Sequence, residues 1–202
     1  MRIPSPPSAP ILAAAIAGGL VAIGTWAGAN APVRVNWTSS MPRGLYSIDA
    51  SIADRDAWVA ACLPDAIAAI GAERGYLPAG SCPNGRSPVA KQLVALAGDA
   101  VEITPDSMSV NGLIRARAPL RDRDSLGRPL HHVAPGTYLV AAGEVWLLGF
   151  APETSWDSRY FGPVPESAIV ASIHPLWTYP SVARCKSQRT DNPLMAIASA
   201  AR

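Results

Sequence analysis

A hydroxyl at Ser40 and an amine at Lys91 are the two groups in this sequence whose surroundings suit covalent chemistry. Ser40 sits in Asn36-Trp37-Thr38-Ser39-Ser40-Met41-Pro42-Arg43-Gly44-Leu45-Tyr46, just beyond a long apolar run. A serine hydroxyl is a weak nucleophile at neutral pH, so it needs a base within hydrogen-bond reach and donors for the developing oxyanion. Lys91 meets the first need only if it is buried. A solvated lysine is protonated, but desolvation lowers its pKa by up to about 3 to 5 units and brings a neutral amine within reach. Val89, Ala90, Leu93 and Val94 are apolar, and a strand over 89–95 puts Lys91 and Leu93 on one face that can point inward. Taken alone, these residues leave bland alternatives open: a turn serine beside a proline, and a strand lysine facing solvent. No histidine competes. His131 and His132 face opposite ways on a strand, His174 precedes a proline, and none has metal-ligand spacing, so neither metal nor cofactor is expected.

The elements that must hold these groups follow from length and patterning. A chain of 202 residues has room for one ordinary domain after an anchor. Its net charge of +2, spread over mixed signs, lacks the dense basic stripe of a nucleic-acid surface, so no nucleic acid partner is expected. Twenty prolines and sixteen glycines suit a turn-rich, mainly β fold. Residues 11–29 carry no charge and have about the length that crosses a bilayer core of roughly 30 Å as a helix. They are read as a transmembrane anchor, with a cleaved signal segment as the alternative because Ala27-Gly28-Ala29 resembles a small-residue cleavage site. The expected organisation is a cytoplasmic N-terminus over 1–10, the anchor over 11–29, a periplasmic domain over 30–182 and a tail over 183–202. Only a short linker then separates the anchor from Ser40, which places the hydroxyl near the inner membrane.

Along the domain, Gly44 to Ser47 reads as a strand, and 54–63 is apolar enough to run into the core. Pro64 to Glu73, with Gly75 beyond, reads as a short helix with proline in its first turn. It lies between Cys62 and Cys82. An oxidising compartment permits a disulfide there, the alternative being two buried thiols, and Cys185 is left over. Residues 101–114 alternate around Asn111-Gly112 as a tight hairpin. The polar 115–136 stretch reads as a solvated loop. Residues 138–140, 145–149 and 169–173 are strand-like.

Three stretches, taken in order, resemble the boxes of the type I signal peptidases, a family of serine/lysine peptidases of the membrane. They are Ser40-Met41-Pro42 in its setting, Lys91 to Val101, and Ser155-Trp156-Asp157-Ser158-Arg159-Tyr160-Phe161-Gly162-Pro163-Val164. The wording of the last box, the Arg-Gly-Tyr-Leu at 74–77 and the Cys-Pro at 82–83 are most similar to the TraF-type conjugative transfer signal peptidases. Gly149-Phe150-Ala151-Pro152 stands where the housekeeping enzymes carry Gly-Asp-Asn-Arg, which favours the specialised subfamily.

The resemblance implies an antiparallel signal-peptidase-type β fold with a small insertion, 62–90, and a catalytic dyad of Ser40 and Lys91. It implies an oxyanion hole from the Ser40 amide and the Thr38 hydroxyl. Ser155 would orient the lysine amine, and Asp157, Ser158 and Arg159 would support the site, Asp157 with Arg159 as an ion pair. The implied substrate is an exported pilin precursor or another preprotein, matured and in some cases cyclised, and the implied partners are the inner membrane and the conjugative transfer (type IV secretion) machinery. A general signal peptidase is the enzymatic alternative. An anchored scaffold that has lost activity is the other.

Overall fold

The computed structural model describes residues 33–36, 41–50 and 54–179. The apolar run at 11–29, Thr38, Ser40, Cys185 and the tail lie outside the described residues. Among those described, no helix is long and apolar enough to cross a membrane.

The fold is mainly β, and every strand pair is antiparallel. The stretch expected to be linker contains β1 (Val33–Asn36), which pairs with β2 (Gly44–Asp49). Next come β3 (Trp58–Ala61), helix α1 (Asp65–Glu73) and β4 (Val89–Ala95). Four short strands follow, β5 (Ala100–Ile103), β6 (Ser107–Val110), β7 (Leu113–Arg117) and β8 (Gly136–Leu139). The chain closes with β9 (Glu144–Leu148), the single turn α2 (Ser158–Phe161), β10 (Val164–Pro165) and the long β11 (Ile169–Thr178). The larger sheet runs β1-β2-β11-β3-β4-β9-β10, the smaller β7-β6-β5-β8.

Strand β9 shows how the two sheets share their interior. Alternate side chains leave opposite faces: Val145 and Leu147 join Val59, Leu63, Leu93 and Leu77 beside α1, whereas Trp146 and Leu148 join Val101, Ile103 and Met108 of the smaller sheet. Both faces are covered, so the strand is apolar throughout its last four residues instead of alternating. Burying each such side chain contributes about 1.5 to 3 kcal/mol before entropy is counted.

The local readings hold where short-range chemistry decides them. The helix forms behind Pro64, which stands at the N-cap position just before the first turn and not within it, Cys62 and Cys82 form a disulfide with Cα atoms 5.6 Å apart, and Asn111 and Gly112 take φ of 52° and 78°, as a type I′ turn requires. In the 115–136 stretch, residues 115–117 complete β7, and Arg115 pairs with Asp56. Asp124 is buried instead of solvated. Long-range pairing decided this.

Candidate active site

Lys91 lies on β4 opposite Val59 of β3, with Leu93 on the same inward face. Its side chain is only 7% exposed, and among the described residues it makes no ion pair or hydrogen bond. Desolvation therefore pushes the amine well below the ordinary lysine range; the nearby Asp157 carboxylate pulls it partly back, and the Arg159 guanidinium pushes it down again. The net direction is the one a general base needs. The strand expected over 89–95 forms, and of the two orientations open to its lysine the fold takes the inward one.

Asp157 and Arg159 form the ion pair inferred from the last box, and it is fully buried, at 0% and 1% exposure. Asp157 is the N-cap of α2 and accepts the Arg159 backbone N–H at 3.2 Å. Its two oxygens also accept Arg159 Nε and Nη2, both at 2.9 Å, and the Gly149 N–H at 3.0 Å. The second Arg159 nitrogen donates onward to the Pro152 carbonyl at 2.6 Å. Ser158, also buried, accepts the Leu147 N–H at 2.9 Å, which ties α2 to β9. The pair is thus a clamp between the end of β9 and α2.

Lys91 and Ser155 line one cleft of about 660 Å³. Its apolar side is built by Tyr76, Leu77 and Val89 together with Trp156, whose ring meets Tyr76 at 5.3 Å and Phe161 at 5.1 Å between centroids. One backbone feature also opens there. The Leu93 N–H and C=O both face the β3 side, so by two-residue alternation those of Ala90 face the other way. On that side β9 pairs with β4 only as far as Gln92, leaving Ala90 without a ladder partner among the described residues.

Ser40 and Thr38 lie outside the described residues; the two ends of their loop lie within them. Asn36 is paired with Gly44, and its side-chain amide donates to the carbonyls of Met41 at 3.0 Å and Pro42 at 3.2 Å. The Tyr46 hydroxyl donates to the Pro42 carbonyl as well, and Met41 is buried against Tyr46 and Ile173. The role of Asn36 and Tyr46 is not evident from sequence; an Asn four residues before a Ser-Met-Pro is the only local signal for it.

A family model described as signal peptidase, peptidase S26, matches residues 10–177. The chain belongs to the signal peptidase S26 family. A plasmid transfer protein TraF of Escherichia coli is 36% identical over 166 residues, covering 82% of this S26 chain and 94% of that one. A probable conjugal transfer protein TraF of Sinorhizobium fredii is 38% identical over 151 residues, covering 72% and 77%. A solved signal peptidase I from Enterococcus faecalis V583 matches at a TM-score of 0.35 and 22% identity, over 61% of this chain and 98% of the other.

Proposed function

We propose that this S26 chain is a membrane-anchored serine endopeptidase of conjugative transfer, in which Lys91 deprotonates Ser40 for attack on the scissile carbonyl of an exported pilin precursor. The observation that carries the reading is the burial of Lys91 in the wall of a cleft, with no carboxylate bound to it among the described residues. A neutral amine accepts the Ser40 proton as the hydroxyl oxygen bonds to the carbonyl carbon. The Ser40 amide and the Thr38 hydroxyl hold the oxyanion. The amine then returns its proton to the leaving nitrogen, and an acyl-enzyme remains. Ser155, on the Asp157–Arg159 clamp, fixes the direction of the lysine amine.

Attack by water releases a trimmed linear product. Attack by the substrate's own terminal amine closes a ring instead. The Ala90 backbone, without a ladder partner among the described residues, supports binding of the substrate as an added strand, where main-chain hydrogen bonds supply affinity and the adjoining cleft selects side chains. The similarity to plasmid and conjugal transfer proteins favours a dedicated precursor over the general secretory stream. The anchor at 11–29 would hold the domain at the inner membrane on the periplasmic side.

The test is to incubate the full-length protein in detergent with the candidate pilin precursor and weigh the product. Shortening by the wild type and none by Ser40→Ala or Lys91→Met is the expected result. A product one water lighter than the trimmed chain identifies cyclisation. Full maturation by Ser40→Ala refutes the assignment.

A further inference from the structure

The cleft that Lys91 and Ser155 line has a further wall in the 121–130 stretch, from Arg121, Arg123, Asp124, Ser125 and Leu130. That wall is fixed in place. Buried Asp124 accepts the Tyr76 hydroxyl and Arg128 Nε, both at 2.7 Å, the backbone N–H groups of Leu126 and Arg128, and Arg74 at 3.4 Å. Arg74 and Tyr76 belong to the segment that follows α1, so the loop is bound to the insertion opposite it.

Arg74 and Arg128 thereby neutralise Asp124. Arg121 and Arg123, both exposed at the cleft, are not neutralised in this way. The first donates to the Glu153 carbonyl at 3.4 Å, the second to the Gly127 carbonyl at 2.7 Å, and neither forms an ion pair among the described residues. Asp122, between them in sequence, lies 3.3 Å from the His132 ring nitrogen and is not part of the cleft lining. Glu153 sets one carboxylate at the same cleft, also without a direct ion pair among the described residues, so two guanidinium groups face one carboxylate there.

We propose that Arg121 and Arg123 form a subsite for a carboxylate carried by the peptide substrate, beyond the residues that occupy the apolar part of the cleft. The proposal rests on the peptidase reading for its ligand class. A guanidinium takes a carboxylate through two parallel hydrogen bonds, and the exposed position makes the gain modest and salt-sensitive. A side-chain carboxylate and a free C-terminus present the same group, and the experiment separates them.

Three short peptides sharing one small-residue core are titrated by calorimetry into the full chain carrying Ser40→Ala. The first has Glu and an amidated end, the second Gln and a free C-terminal carboxylate, the third Gln and an amidated end. At least one carboxylate peptide should bind about fivefold more tightly than the third. The advantage should vanish in Arg121→Gln/Arg123→Gln and at about 1 M salt, while affinity for the third peptide stays unchanged, which also reports an intact fold. Equal affinity for all three, undetectable binding of all three included, overturns the subsite, as does an advantage that survives the double substitution. Binding needs no turnover, so failure of wild-type cleavage would count against the Ser40–Lys91 reading alone.

Discussion

A β-carbon on Gly149 would stand 1.8 Å from the Ser155 hydroxyl oxygen and 2.2 Å from its Cβ, so these two residues occupy space that admits no larger pair. The Gly149 N–H is at the same time bound to Asp157. The glycine at the end of β9 is therefore a condition for the place of Ser155 in the cleft.

Gly149→Ala should displace Ser155 and with it the proposed orientation of the lysine amine. Displacements of this size cost up to on the order of a hundredfold in rate. The expected result is a fall in kcat with little change in KM, measured on a peptide substrate. Ser155→Gly in the Gly149→Ala background relieves the clash without restoring the hydroxyl, so recovery of folding without recovery of rate would separate packing from chemistry.

Lys91→Met should abolish activity and raise thermal stability. Burial of the amine, which binds no carboxylate among the described residues, disfavours its charged form, and the folded-state pKa is lowered. Below the unfolded value near 10.5 the unfolded chain therefore binds the proton more readily than the folded one, which costs stability. As pH rises towards that value the penalty fades. The melting-temperature gap between Lys91→Met and wild type should accordingly narrow from pH 7 to pH 10, and a gap that widens with pH contradicts a buried, depressed amine.

Asp157 and Arg159 act on Lys91 in opposite directions, the carboxylate raising its pKa and the guanidinium lowering it. Asp157→Asn should move the acid limb of the kcat/KM profile to lower pH, and Arg159→Met should move it higher. Each leaves a buried charge unpaired, so each should also cost about 3 to 5 kcal/mol of stability in denaturant titration. Shifts of the same sign in both variants would show that the limb reports another group.

Asp99, at the turn between β4 and β5, accepts Arg55, the Leu96 N–H at 2.7 Å and the Asn111 side chain at 2.8 Å. The Arg55 hydrogen bond, above all, lowers its pKa to about 2. Its stabilising effect is complete above the unfolded carboxylate value of about 3.9 and is lost as pH falls through about 2. Acid unfolding followed by circular dichroism should therefore show a step between pH 4 and 2 that is absent in Asp99→Asn.

Sequence alone settled what local chemistry settles. Pro64 and the Ala/Ile run behind it specify α1 and Asn111-Gly112 specifies the turn, because backbone φ preferences act within a few residues; Lys91 and Leu93 share a face because strand side chains alternate. The resemblance of the box around Asp157 and Arg159 implies their pairing without any knowledge of the fold. Tertiary structure decided what depends on residues far apart in the chain. β1 forms because β2 returns beside it, and Asp124 is buried because Arg74 and Tyr76 arrive from the insertion to satisfy it. The crowding of Gly149 against Ser155 follows from the turn between β9 and α2. Each is the meeting of groups that periodicity cannot bring together, since the energy of such a contact exists only once the intervening chain has folded.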